Sequence, residues 1–427
     1  MRVLWLCNIV LPAYAQAHDM PYSVREGWLS GCLNRIISSK KDDEEITLAI
    51  CFPADGEIAA SSEEIDGIRY YGFREDLDHP EIYDGTVENR FHVILDDFKP
   101  DIVHIFGTEF PHSLAMLRAF GNPEKVLLGI QGICSVIASE YMAGIPEEVQ
   151  NSATFRDRLK EDSLLQQQEK FKVRGEHERE AIMLAGNVTG RTAFDKKEVE
   201  KINPSAHYFA MNETMRPCFY MGKWNEKKAE PHSIFISQGD YPLKGFHFVL
   251  NAMPRLLEKY PDAHLYVAGN NIIGKGGSKY PYFMRASAYG KYIKSLIGKN
   301  KLKKKVTMLG SLSDQEMKEQ FLKSSLFICP SVIENSPNSL GEAMLLGVPV
   351  VASRVGGIPD MAQENKDGIL FEKGNVDDLV KAVLQMWDEP VIAAVYGDNA
   401  SAHARITHNP DTNYKRLLEI YHSICKE

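Results

Sequence analysis

The 427-residue sequence predicts an α/β protein of two domains, each a parallel sheet covered by helices on both faces. Three observations carry that reading. Short apolar runs alternate with helix-length amphipathic segments from end to end. The length exceeds what one ordinary core sustains and suits two domains of roughly 200 residues each. A lysine-bearing stretch at 217–231, poor as helix or strand, divides two sets of such runs and reads as the linker.

The first set places strands at 3–7, 46–51, 68–71, 102–105, 126–130 and 187–189, with helices at 23–38, 87–98 and 112–120. Between 135 and 184 the chain turns polar and helix-rich, with Phe155, Leu159, Leu164 and Leu165 among many charges, and reads as an insertion or a solvated helix pair. The second set places strands at 233–236, 264–267, 306–309, 326–329 and 348–352. A final helix near 413–425 is expected to cross back. The expected domains are therefore 1–215 and 216–404, with 405–427 returning to the first.

The apolar run from Val3 to Leu11, followed by Ala13 and Ala15, imitates a secretion signal. Asn8 interrupts the run and a single charge precedes it, so a buried first strand is the expectation. No other stretch reaches 18 apolar residues, so no spanning helix is expected. Composition excludes other classes. With 44% hydrophobic and 25% charged residues the chain folds, and a net charge of -9 offers no basic field to nucleic acid. Seven cysteines, odd in number and never spaced CxxC, suit reduced thiols and a cytoplasmic location.

The densest signal lies between Cys329 and Pro359. A buried strand ends at Cys329 and runs into a loop that carries Glu334. Pro337-Asn338-Ser339-Leu340-Gly341-Glu342 then opens a helix, closed by Gly347 and followed by a strand from Val348. Ligands of open α/β sheets bind beyond the carboxyl ends of strands, where Glu334 stands. The first turn of a helix leaves backbone N–H groups unpaired and favours an anion, so Asn338, Ser339 and Leu340 can present amides to one. Glu342 can accept hydrogen bonds from a diol. Ahead of the helix at Phe246, Lys244-Gly245 supplies a point charge.

The spacing Glu334–Glu342, followed by Ala343-Met344 and Gly347-x-Pro349-Val350-Val351-Ala352-Ser353, resembles the Glu-x7-Glu signature of retaining glycosyltransferases of family 4, or group 1. That resemblance implies the GT-B fold, two Rossmann-like domains facing across a cleft. It also implies transfer of a sugar from a nucleoside-diphosphate donor to a hydroxyl acceptor with retention, in cell-surface polysaccharide or glycolipid synthesis. By this resemblance Glu334 orients the sugar, Lys244 and the amides near Ser339 stabilise the leaving diphosphate, and Glu342 fixes the ribose. The base lies near Gly310. The donor is a UDP- or GDP-sugar and the acceptor a glycan or lipid-linked hydroxyl, with no metal and no cofactor. Relatives usually carry an arginine about six residues before the lysine, where this chain has Gln238, a neutral donor.

The first domain resembles the family mainly in strand order. Asp101-Ile102-Val103-His104 matches a family strand end, and His104 reads equally as a core histidine or a cleft group. Glu109, Gln131 and Arg191 complete the expected acceptor side; relatives often place a histidine near Gln131. A sugar-nucleotide epimerase, with His104 and Glu109 as acid and base, is one rival reading, and a non-catalytic nucleotide-sugar-binding protein is another. Two decoys remain. The loop at 269–276 nearly spells a phosphate-binding loop, but Gly276 stands where a Ser or Thr is needed. The lysine-rich run at 299–305 reads as a solvated edge rather than a lipid contact. Peripheral contact with the inner membrane face is a further expectation, though the acidic residues in 155–171 favour a solvated helix.

Overall fold

The computed structural model describes residues 1–20, 27–39, 46–274 and 281–426. The predicted helix start at 23–26 and the end of the glycine-rich loop, 275–276, lie outside the described residues. The chain parts into two compact units. One comprises Met1–Ser135, Lys170–Thr214 and His408–Glu427, the other Val136–Glu169 and Met215–Thr407.

The first stretch of chain runs β1 (Arg2–Leu6), α1 (Pro12–Ala17), α2 (Gly27–Ser39), β2 (Thr47–Pro53), β3 (Ser62–Ile65), β4 (Ile68–Phe73), α3 (Thr86–Phe98), β5 (Ile102–Phe106), α4 (His112–Phe120) and β6 (Val126–Gly129). Then come α5 (Cys134–Glu140), α6 (Glu147–Gln150), α7 (Phe155–Lys160), α8 (Leu164–Leu184), β7 (Asn187–Gly190), α9 (Ala193–Ile202) and β8 (His207–Ala210). Among the described residues, eight strands form one sheet in the order β3-β4-β2-β1-β5-β6-β7-β8. All neighbours are parallel except β3, which pairs antiparallel with β4. β1 is central, and Val3, Leu4, Trp5 and Leu6 are wholly buried, as a strand covered on both faces requires. The edge strand β3, Ser-Glu-Glu-Ile, is exposed, and its charges guard an unpaired edge. In α3, Val87, Phe91, Ile94 and Phe98 bury one face at helical spacing.

The second stretch runs β9 (Glu230–Ile236), α10 (Phe246–Lys259), β10 (His264–Ala268), α11 (Tyr282–Arg285), α12 (Ala288–Lys299), β11 (Val306–Gly310), α13 (Asp314–Lys323) and β12 (Ser324–Cys329). It ends with α14 (Asn338–Leu346), β13 (Val350–Ser353), α15 (Ile358–Met361), β14 (Ile369–Phe371), α16 (Val376–Asp388), α17 (Pro390–Thr407) and α18 (Pro410–Lys426). Among the described residues, six parallel strands form the second sheet, ordered β11-β10-β9-β12-β13-β14. Its strand order reverses between β9 and β12, and such a switch point opens a crevice at the carboxyl ends of its strands. Helix α18 belongs to the first unit, where Leu417, Ile420, Tyr421 and Ile424 are buried. Among the described residues no helix is long and apolar enough to cross a membrane.

Two expectations need correction. Residues 136–169, expected in the 1–215 domain, group with the second unit. The reason is local bonding. Asp157, wholly buried, accepts the backbone N–H of Ala288 at 2.9 Å, and Glu140 pairs with Lys373 at 2.7 Å. The stretch 217–231 is not a loose linker either. Trp224 is buried, donates its indole N–H to Ser324 O at 2.8 Å and its backbone N–H to Leu346 O at 2.8 Å, while Phe219 is wholly buried. The lysines at 299, 301, 303 and 304 are exposed around a buried Leu302.

Candidate active site

The candidate site is built at the carboxyl ends of β9 and β12 in the second unit. After β9 the chain makes a short turn, Pro242–Lys244, capped by Gly245 in the left-handed region at φ 66°. A Cβ on Gly245 would stand 1.9 Å from Pro330 O, so only glycine lets this turn abut the loop after β12. The two loops are also bonded, Val332 N–H to Leu243 O at 2.8 Å. As a result Lys244 Nζ reaches Glu334 Oε1 at 2.5 Å, and the Ser331 hydroxyl donates to the same oxygen at 2.7 Å. The Glu334 backbone is pinned as well. Its carbonyl accepts Gly357 N–H at 3.0 Å, and Gly356, at φ 48°, passes so close that a Cβ would lie 1.9 Å from that carbonyl.

Burial opposes the charge on Lys244, but the neighbouring Glu334 carboxylate and Tyr241 phenol outweigh it and hold the ammonium well above its ordinary range. Its Nζ lies 5.7 Å from the centre of the Tyr241 ring.

Helix α14 begins with Pro337 as its N-cap and no side-chain cap. Leu340 N–H already donates to Pro337 O at 3.0 Å. This corrects the expectation that its amide is open for an anion, because a tight first turn consumes it. Glu342 is buried, and both its oxygens bond to Arg216, Nε to Oε1 at 2.8 Å and Nη2 to Oε2 at 2.9 Å. Burial raises the Glu342 carboxyl above its ordinary range, with Arg216 pulling the other way. Sequence reasoning missed Arg216. The one available signal was its place before Pro217, which restricts it to extended backbone, observed at φ -61°, ψ 139°.

Gln238, half-buried after β9, packs over Gly269 at the end of β10. Gly310 ends β11 at φ 81°, with nothing within 4 Å of where a Cβ would stand. Asn338 and Ser339 form the first turn of α14. The structure therefore joins Lys244 with Glu334, and sets Gln238 and Gly310 at the ends of β9 and β11, with β10 between them in the same sheet.

In the first unit, Gln131 and Arg191 come together on a residue the sequence did not flag. Gln131 Nε2 donates to Glu213 Oε1 at 2.9 Å, Arg191 forms an ion pair with Glu213, and Arg191 Nη2 reaches Gln131 Oε1 at 3.2 Å. Burial raises the Glu213 carboxyl. Glu109 is half-buried, and its Oε2 accepts the Thr108 N–H at 3.0 Å.

His104 is not an accessible group. It is wholly buried, with Nδ1 2.7 Å from Tyr421 Oη, and Trp5 Nε1 lies 2.9 Å from the same oxygen. Indole can only donate, so Tyr421 Oη accepts from Trp5, and the direction of its bond with His104 Nδ1 follows the imidazole tautomer; the other ring nitrogen is Nε2. That nitrogen finds no hydrogen-bond partner among the described residues. Burial lowers the pKa of His104 to about 3. A neutral, enclosed imidazole cannot serve as the acid or base of an epimerase, and the expectation of His104 as an acceptor-side group is corrected accordingly.

Residues 219–403 match the sequence family described as glycosyl transferases group 1. Over 189 residues the chain is 26% identical to a GDP-mannose-dependent monoacylated alpha-(1-6)-phosphatidylinositol monomannoside mannosyltransferase of Corynebacterium glutamicum, covering 43% of this chain and 45% of that protein. The matches span less than half the length of the curated relatives. Among solved structures, sucrose-phosphate synthase from Thermosynechococcus elongatus superposes with a TM-score of 0.70 at 12% identity, covering 99% of each chain. Anabaena HepE in complex with UDP-glucose superposes with a TM-score of 0.66 at 16% identity, covering 99% of this chain and 100% of that one. The chain thus has the GT-B fold, two parallel-sheet α/β domains, and its residues 219–403 are similar to group 1 glycosyltransferases.

Proposed function

We propose that this chain is a retaining glycosyltransferase that moves a sugar from a nucleoside-diphosphate donor to a hydroxyl of a glycan or lipid-linked acceptor. The observation that carries the reading is the Lys244–Glu334 pair, 2.5 Å apart at the switch point of the second sheet. Its partners are matched without a ligand, and a nucleotide-sugar exchanges them. The diphosphate takes Lys244 and the first turn of α14, where backbone and dipole favour an anion. Glu334 is released to accept hydrogen bonds from the sugar hydroxyls.

As the bond from the anomeric carbon to the phosphate oxygen breaks, negative charge grows on the diphosphate, and Lys244 stabilises it where it develops. The acceptor oxygen bonds to the same face of the anomeric carbon, and its proton passes to the departing phosphate oxygen. Such a step calls on no separate general base.

Support comes from the group 1 match over 219–403 and from the fold shared with a UDP-glucose-bound neighbour. The test is a thermal-shift titration with UDP, GDP, ADP and their sugars on wild type and Lys244→Ala. A ligand at a hundred times its dissociation constant stabilises by about 2.7 kcal/mol. Stabilisation by one diphosphate, weakened in the variant, is expected. No shift with any nucleotide refutes the reading and marks Gln238 as the sign of a lost site.

A further inference from the structure

Arg216 is the third residue before the buried Phe219 and lies just inside the second unit, whose long segment begins at Met215. Its guanidinium is fixed from two sides. The Phe219 ring centre lies 4.7 Å from it, and the backbone beside it is held by the bond from Met215 N–H to Tyr220 Oη at 3.0 Å. The planar fork then meets the Glu342 carboxylate with two parallel bonds of 2.8 and 2.9 Å. This is the geometry in which arginine, unlike lysine, fixes both the position and the plane of a carboxylate.

Glu342 stands four residues after Asn338 on α14, so the two share a helix face, and side chains of a helix lean toward its N-terminus. The carboxylate therefore lies over the first turn, where the proposed function puts the diphosphate. A carboxylate has about four acceptor positions, and Arg216 uses two. The two that remain, one on each oxygen, match the paired hydroxyls of a ribose.

We propose that Arg216 is a positioning residue for the donor: it fixes the Glu342 carboxylate, in plane and in charge, so that its remaining acceptor positions receive the ribose hydroxyls. The inference rests on the proposed function. Residue 216 precedes Glu342 by 126 positions, so the discrimination of ribose is set from the entry to the second unit rather than within the Glu334–Glu342 motif.

The test is calorimetric titration of wild type, Arg216→Met and Arg216→Lys with UDP, GDP, their 2′-deoxy counterparts and inorganic pyrophosphate. Wild type is expected to prefer the ribonucleotide by roughly tenfold or more, as a charge-assisted bond is lost in the deoxy form. In Arg216→Met that preference falls toward one while pyrophosphate affinity stays within about twofold, since only the ribose contact depends on the fork. Retention of the full ribose preference overturns the proposal. So does a loss of pyrophosphate binding equal to the loss of nucleotide binding, which marks a merely structural role. Should Arg216→Met fail to fold, Arg216→Lys carries the test. It keeps the charge without the fork and is expected to lose part of the preference, and an unchanged preference there is likewise fatal. A wild type that binds pyrophosphate but neither nucleotide overturns the functional reading itself.

Discussion

Glu178, on α8, is wholly buried, and its protonation is predicted to set the alkaline limit of stability. Its Oε2 accepts the Cys134 N–H at 3.0 Å and lies 2.9 Å from the Thr108 hydroxyl, which is also 3.3 Å from Gly132 O. A hydroxyl has one proton and cannot donate to both oxygens. If Glu178 is protonated, it donates to Thr108, and Thr108 donates to Gly132. Burial, with the nearby Glu109 charge adding to it, raises the pKa from the ordinary 4.5 to about 8. The folded state therefore holds a proton that the unfolded chain releases. Stability from this group is complete below pH 4.5 and lost as pH rises through about 8. At 1.36 kcal/mol for each of about 3.5 pH decades, the full loss is on the order of 5 kcal/mol, with roughly 3 kcal/mol incurred by pH 7. Urea unfolding of wild type and Glu178→Gln between pH 5 and 9 reads this directly. The glutamine keeps the shape and cannot ionise, so its stability is expected to fall less with pH and to exceed that of wild type at pH 9. Equal slopes, or a variant weaker than wild type throughout by the same amount, would refute the argument.

Tyr421→Phe removes the acceptor of Trp5 Nε1 and the hydrogen-bond partner of His104 Nδ1, two buried groups, and is expected to cost about 2–4 kcal/mol in urea unfolding. A loss under about 1 kcal/mol would mean the groups rehydrate. His104 runs opposite to Glu178: its pKa is lowered from 6.5 to about 3, so its contribution is present above 6.5 and fades as pH falls through that window. His104→Phe should show a shallower acid decline between pH 6.5 and 4 in thermal melts, and an unchanged slope would contradict the burial argument. Gly356→Ala places a methyl against Glu334 O at positive φ and should cost at least about 1–2 kcal/mol. The contrasting Gly298→Ala, on α12 with nothing within 4 Å, should be neutral or stabilise by up to ~1 kcal/mol. Melting both variants checks the pair, and similar losses would count against the close approach.

The central strands were legible because a strand buried on both faces is mostly apolar: β1, β5 and β12 carry short apolar runs, broken in β5 only by His104. β3 and β8 were not foreseen, since edge strands such as Ser-Glu-Glu-Ile and His-Tyr-Phe-Ala face water and need no such run. The third missing strand, β14, is only three residues long. The loop after β12 was legible as a place for chemistry, because strand, loop, helix and glycine follow one another locally. What the loop touches was not. Lys244 and Glu334 are 90 positions apart, Arg216 and Glu342 are 126, and His104 and Tyr421 are 317. His104 stayed open between core and cleft because a parallel strand buries both faces, and only the arrival of Tyr421 decides it. Residues 136–169 were misassigned for the same reason. Their attachment depends on single buried groups such as Asp157, which composition does not distinguish from a solvated aspartate.

The return of α18 to the first sheet has a consequence for biosynthesis. Trp5 leaves the ribosome long before its partner Tyr421, which follows 416 positions later. At about 5–20 residues per second, that interval is roughly 20–80 s. Throughout it, the nascent sheet lacks the Leu417, Ile420, Tyr421 and Ile424 face that covers it, while the uninterrupted segment Met215–Thr407 emerges whole. The unit begun first is finished last, so a stalled or clipped polypeptide ending before His408 would present a completed second unit beside an uncovered first one.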